Sequence, residues 1–264
     1  MTITDIKTKT ALITGASSGI GFGIAKQLAS LGYHLTIGGK EPVEDVQDQL
    51  ADLARAGAAA VHYDDTDMRD SDAVRHMVAT ARERMGSLYL LVNNAGIQHV
   101  DTIADFASDA WQAVIDINLS APFHATAAAI PFMHEAGAGR IINIASVHGL
   151  VASPNKSAYV AAKHGIIGLT KTTALELAQT NITCNAIAPA WVLTPLVAAQ
   201  IEARAAESGL SFEAESHRLV SEKQPNGRFV TPEEIGEMIC YLASPAARSI
   251  TGSTMTIDGG WTAQ

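Results

Sequence analysis

Apolar residues along this chain fall into two alternating rhythms. Short apolar runs occur at 11–14, 35–37, 59–62, 88–93, 141–145, 182–187 and 254–257. Several are filled with Ile, Val or Leu instead of alternating with polar residues, as strands buried on both faces require. Between them lie longer stretches with apolar residues at helical spacing, near 19–31, 43–56, 71–85, 108–135, 157–178 and 232–243. Strand–helix alternation of this kind predicts an α/β domain, a doubly wound parallel sheet of about seven strands with helices on both faces. Ligands of such sheets bind beyond the carboxyl ends of the strands. No repeat, low-complexity tract or linker divides residues 1–264, which read as a single domain. The stretch 191–227 fits the alternation poorly. It is helical in places and long for a connection, and is read as a helical lid over the substrate.

Composition narrows the function. A net charge of −9 without a basic stripe speaks against a nucleic-acid partner. No apolar run reaches the roughly 18 residues of a membrane span, and "MTITDIKTKT" lacks the apolar core of a leader. Cys184 and Cys240 have no metal or redox spacing; they read as small buried hydrophobes in a protein of the reducing cytoplasm. The histidines show no metal-ligand spacing, so no metal is expected.

The first apolar run leads into "TGASSGIG", with Gly15, Ser17, Ser18, Gly19, Ile20 and Gly21 between a strand and a helix. Glycine permits a tight turn and a close approach of pyrophosphate, and the helix N-terminus offers free N–H groups to the anion. In that position the loop predicts a dinucleotide site of Rossmann type. The carboxylate that holds the adenosine ribose is expected to close the second strand. Here that stretch reads "TIGGK", 36–40, without one. Lys40 suits the 2′-phosphate of NADP; alternatively it is a solvated lysine, and the Gly38–Gly39 backbone lies along the ribose.

In "SAYVAAKHG", 157–165, Tyr159 and Lys163 stand four residues apart on one helix face. A free phenol has a pKa of about 10, too high for an efficient base near neutrality. A neighbouring ammonium favours the phenolate, so Tyr159 is the candidate general base and Lys163 the group expected to lower its pKa.

With the glycine loop, "LVNNAG" at 91–96 and Tyr159-x-x-x-Lys163 in this order, the chain resembles the short-chain dehydrogenase/reductase family from about residue 10 onward. "LVNNAGIQH", "IINIASVHGLVAS", "NKSAYVAAKHG", "SEKQP" and "DGGWTA" look closer still to the members that oxidise (R)-3-hydroxybutyrate to acetoacetate with NAD. The resemblance implies a catalytic set of Asn118, Ser146, Tyr159 and Lys163. Ser146 would hold the substrate oxygen, and Asn118 a water that carries the proton outward beside Lys163. It also implies that Asp67 and Met68 lie by the adenine and that Asn94, Ala95 and Gly96 follow the cofactor. Pro189, Val192 and Thr194 would lie near the nicotinamide. The family usually has Pro-Gly where this chain has Pro189-Ala190, and Lys40 replaces an apolar residue of the NAD-dependent members. The resemblance further implies a homotetramer built on helix faces near 108–135 and 157–178 and on the segment around Trp261.

Gln98, His148 and Lys156 each follow a strand or precede the catalytic helix, so they are expected at one crevice, with Gln200 closing over them. One lysine with amide and imidazole donors suits the carboxylate of a small hydroxy acid, and Trp191 offers a wall for its methyl group. His99 is an alternative to Gln98. Two other readings compete. An NADPH-dependent 3-oxoacyl reductase is favoured by Lys40 and disfavoured by a carboxylate-binding set. A non-catalytic dinucleotide sensor is disfavoured by the four proton-transfer residues.

Overall fold

The computed structural model describes residues 9–264; the N-terminal residues read as leader-free lie outside the described ones. Seven strands form one parallel sheet: β1 Thr10–Ile13, β2 His34–Gly38, β3 Ala60–Asp64, β4 Leu90–Asn93, β5 Gly139–Ile144, β6 Ile182–Pro189 and β7 Thr254–Ile257. Their spatial order is β3-β2-β1-β4-β5-β6-β7. The order reverses between β1 and β4, which opens a crevice at the carboxyl edge. The central strands are buried along their whole length, as their predominantly apolar runs predict.

On one face pack α1 (Gly19–Ser30), α2 (Gln47–Arg55) and α9 (Pro232–Ala243); on the other pack α3 (Ser71–Met85), α5 (Ala121–Ala136) and α6 (Ser157–Glu176). The first core joins Ile13, Ile24, Leu28, Leu35 and Ile239, the second Leu12, Met77, Leu91, Ala125 and Ile141. Successive strand residues thus serve opposite cores, which is why most of them are apolar on both faces.

Two features depart from the sequence expectations. The helix expected at 108–135 is continuous but changes pitch: α4 (Ser108–Ile115) and α5 flank a π-helical turn, Asp116–Ser120. Single π turns recur at functional sites because they turn a side chain off the regular face, and this one carries Asn118. Counted as one run, Ser108–Ala136 spans 29 residues at a mean hydropathy of 1.2, enough by length and composition to cross a membrane. No such run was expected from sequence, because alanines rather than large hydrophobes supply the hydropathy. In the structure the run packs along α3 and α6. The stretch 191–227 folds into α7 (Pro195–Ser208) and α8 (Phe212–Ser221). Glu215 of α8 is fully buried and pairs with Arg204 at 2.8 Å and Arg218 at 3.0 Å, joining the two helices.

Candidate active site

The carboxyl ends of all seven strands meet at one cavity of about 900 Å³. Gly15, Ser17, Ser18, Gly19, Ile20 and Gly21 line one end of it. Gly15 and Gly19 have φ of +62° and +55°, a region open to glycine at little cost. A Cβ at Gly21 would collide with the Gly15 carbonyl and the Asn94 amide. Asn94 Nδ2 donates to the carbonyls of Thr14 (2.9 Å) and Gly15 (2.7 Å), while the Thr14 hydroxyl accepts from the amides of Asn94 and Ala95. The loops after β1 and β4 are thereby fixed against each other. Ser18 N-caps α1 without a side-chain cap bond, and the first turn holds no acidic residue. Free N–H groups of α1 therefore face the cavity, which fits a pyrophosphate.

Further along lie Asp67, Met68, Asn94, Ala95, Gly96, Pro189, Val192 and Thr194, all expected along the cofactor and all lining the cavity. Arg69 binds the Asp67 carboxylate through Nε and Nη2, holding that acid down to about 2. Of the stretch expected along the ribose, Gly39 and Lys40 line the cavity and Gly38 does not; Glu41 lines it too. The Glu41 carboxylate accepts from Ser17 Oγ at 2.9 Å and from the Lys40 amide at 3.1 Å. Burial works against its ionisation, but these hydrogen bonds prevail and hold it below the usual carboxylate value. Sequence spacing missed Glu41 because it stands three residues beyond β2. The return of the chain, fixed by Tyr63 Oη donating to the Glu41 carbonyl at 2.7 Å, swings it back to the glycine loop.

Tyr159, Lys163 and Ser146 converge beyond β5. Lys163 is buried, and its Nζ donates to the Ile144 carbonyl at 2.7 Å and lies 5.5 Å from the centre of the Tyr159 ring. Burial brings the Lys163 ammonium down to about 8. Burial also raises the Tyr159 hydroxyl above the ordinary phenol value, and a hydrogen bond with Ser146 opposes that rise. The expected depression of the phenol by Lys163 is thus absent from the protein by itself. Desolvation is the larger influence, and the ammonium points at a backbone carbonyl.

Asn118 is buried but stands outside the cavity lining. Its Nδ2 donates to the Ile97 carbonyl and its Oδ1 accepts from the Ile97 amide, both at 2.9 Å. It pins the loop after β4; the water expected on it would take its remaining hydrogen-bonding capacity.

Gln98, His148, Lys156 and Trp191 all line the cavity; Gln200, on α7, is not among its lining residues. The reason lies in α7 itself. Val197 and Ile201 turn inward onto Trp191, Phe212 and Leu219, and that packing sets the orientation of the helix. Lys156 lies 5.2 Å over the Trp191 ring and has no ion-pair partner among the described residues. Burial lowers its pKa. Burial, and then Lys156, bring His148 down to about 4, so its imidazole is neutral at neutral pH. His148 Nδ1 and Trp191 Nε1 are buried without a partner among the described residues.

Trp261 also lines the cavity and meets the His148 ring edge-on at 5.6 Å. The sequence reading assigned its segment to an interface between copies. The signal that finds it is the crevice rule, because "DGGW" directly follows β7. Asp258 accepts from the Gly260 amide (3.1 Å) and the Thr262 amide (2.9 Å), folding this turn back over the cavity.

A doubly wound sheet with a glycine-loop dinucleotide end and a Ser–Tyr–Lys cluster defines a nicotinamide-dependent oxidoreductase. Residues 9–205 match the family model described as short chain dehydrogenase, and the chain belongs to that family. It is 52% identical over 257 residues to a D-beta-hydroxybutyrate dehydrogenase of Cupriavidus necator, covering 97% of this chain and 98% of that one. A D-beta-hydroxybutyrate dehydrogenase of Rhizobium meliloti is 46% identical over 97% of this chain and 100% of its own length. Among solved structures, an actinorhodin polyketide ketoreductase with NADPH superposes with a TM-score of 0.90 at 36% identity, covering 97% of this chain and 98% of that one.

Proposed function

We propose that this oxidoreductase interconverts (R)-3-hydroxybutyrate and acetoacetate with NAD. The observation that carries the substrate class is Lys156: a largely buried ammonium with no anionic partner among the described residues, in the same cavity as Tyr159. A small hydroxy acid supplies the missing carboxylate; the thioester of a 3-oxoacyl reductase does not. Neutral His148, with its unpartnered Nδ1, and Gln98 add hydrogen bonds, and Trp191 and Trp261 form walls for the methyl group. Relatives named for D-beta-hydroxybutyrate support the same substrate and hand. Gln200 would join these groups by movement of the 191–227 segment as a lid.

When bound, the nicotinamide accepts or returns the hydride. The chain's own residues manage the proton. Ser146 hydrogen-bonds the substrate oxygen and holds it beside Tyr159. The phenolate of Tyr159 takes the hydroxyl proton during oxidation and the phenol returns it during reduction. Lys163, near 8 and 5.5 Å from the centre of the Tyr159 ring, would take up the proton that the phenol must shed toward solvent.

Glu41 supports NAD. An ionised carboxylate at the adenosine end accepts from ribose hydroxyls and repels a 2′-phosphate. Lys40, on the same loop, is the feature that favours NADP. The reading extends to a homotetramer in the cytoplasm, supported by exposed Trp111, Phe123 and Leu175 on the helices named for assembly and by two unpaired cysteines.

Initial rates with (R)- and (S)-3-hydroxybutyrate against NAD and NADP test the proposal. The (R) acid with NAD is expected to dominate. Faster turnover of a 3-oxoacyl thioester with NADPH would overturn it.

A further inference from the structure

Gln224 is a completely buried glutamine that follows α8. Its Oε1 accepts from the Trp191 backbone amide at 2.8 Å, and its Nε2 donates to the Arg228 carbonyl at 2.7 Å. Trp191 opens the 191–227 segment and Gln224 nearly closes it, so one side chain clasps both ends. The Trp191 carbonyl is also held, by the Val230 amide at 2.9 Å. Both backbone groups of Trp191 are therefore pinned, which fixes where its indole stands under Lys156. The same turn reaches the second aromatic wall. The Asn226 amide donates to the Gly259 carbonyl at 3.1 Å, two residues before Trp261.

We propose that Gln224 is a positioning residue that sets hydroxy-acid affinity by holding Trp191 in place. A buried glutamine offers an acceptor and donors at once, and this position uses one of each. A leucine of similar size would leave the Trp191 amide and the Arg228 carbonyl without these partners. The Trp191 wall then loses its anchor, while Tyr159, Lys163 and the glycine loop keep theirs. The effect should fall on substrate binding and spare the chemical step.

The substrate part of this inference rests on the function proposed above; the anchoring part does not. In Gln224→Leu, KM for (R)-3-hydroxybutyrate is expected to rise about tenfold, with kcat and NAD affinity changed less than about twofold. In a Trp191→Ala background the same substitution should add less than about twofold to KM, because the residue it positions is gone. Equal losses in KM, kcat and NAD affinity, or full additivity with Trp191→Ala, would overturn the proposal. Gln224→Glu is read if the leucine chain does not fold. Burial favours its protonated carboxyl, which replaces both hydrogen bonds, and ionisation costs the bond donated to the Arg228 carbonyl, so KM relative to wild type should climb with pH. A ratio that stays flat with pH refutes the positioning role. A third readout needs no substrate. In Trp111→Phe/Trp261→Phe protein, Gln224→Leu should make Trp191 fluorescence more accessible to acrylamide, and unchanged quenching refutes the anchoring. If wild-type protein does not oxidise 3-hydroxybutyrate, the proposed substrate falls while this quenching measurement still decides the role of Gln224.

Discussion

Lys163 donates to the Ile144 carbonyl at 2.7 Å while its ammonium stands 5.5 Å from the centre of the Tyr159 ring. The pair is close enough to couple, yet in the protein alone the phenol is governed by burial. Tyr159→Phe should therefore reduce turnover by roughly 10³-fold, the scale of lost general acid–base catalysis, and leave NAD binding measurable by fluorescence titration. Oxidation needs the phenolate, so its kcat/KM should rise with pH, and reduction should show the reverse slope. The hydrogen bond from Ser146 is the influence that lowers the phenol. Ser146→Ala should accordingly move the rising limb of the oxidation profile to higher pH; a limb that stays in place would contradict that assignment.

Lys156 and Trp191 make the second relationship that steady-state kinetics can test. Removing the ammonium from a buried carboxylate pair should cost about 2–5 kcal/mol in kcat/KM for 3-hydroxybutyrate. KM for NAD should change little, because the Lys156 ammonium stands over the Trp191 ring and not at the glycine loop's hydrogen bonds. The Lys156 pKa is lowered by burial, so substrate affinity should weaken on the alkaline side before that of an exposed lysine would. Kinetics of Lys156→Ala with the hydroxy acid, and with an uncharged secondary alcohol as a control, check both statements.

Glu41 and Ser17 couple the second strand to the phosphate loop. The carboxylate is held ionised at neutral pH, so Glu41→Gln should remove a charge that opposes a 2′-phosphate. Use of NADP relative to NAD should rise about tenfold or more, read as the ratio of kcat/KM values. If the ratio does not move, Glu41 takes no part in the choice of cofactor.

His148 carries a stability signature. Its pKa is about 4 in the folded chain against 6.5 for a free imidazole. Between those values the unfolded chain binds more protons, so stability is lost as pH falls through this window. The contribution is on the order of 1–2 kcal/mol between pH 7 and pH 5. Urea unfolding of wild type and His148→Asn at both pH values measures it, and the variant should show the smaller loss.

The seven strands, the paired helical layers and the glycine loop were legible in the chain because each depends on local pattern. Predominantly apolar runs specify strands buried on both faces, and Gly15, Gly19 and Gly21 mark backbone that no larger residue would follow. Tyr159 and Lys163 were legible for the same reason, since one helical turn brings them to one face. Three other features depended on chain segments far apart in sequence. Trp261 reaches His148 only because β7 ends beside β6. Glu41 reaches Ser17 only because the chain folds back after β2. Gln200 stays outside the cavity because Val197 and Ile201 claim the inward side of α7. The sign of the Tyr159 shift likewise belonged to the tertiary structure. Spacing identifies a neighbouring charge, but only packing decides how much water the phenol loses and where the ammonium points. Local periodicity and backbone freedom are written residue by residue; burial, orientation and contacts between strand ends exist only once the sheet is assembled.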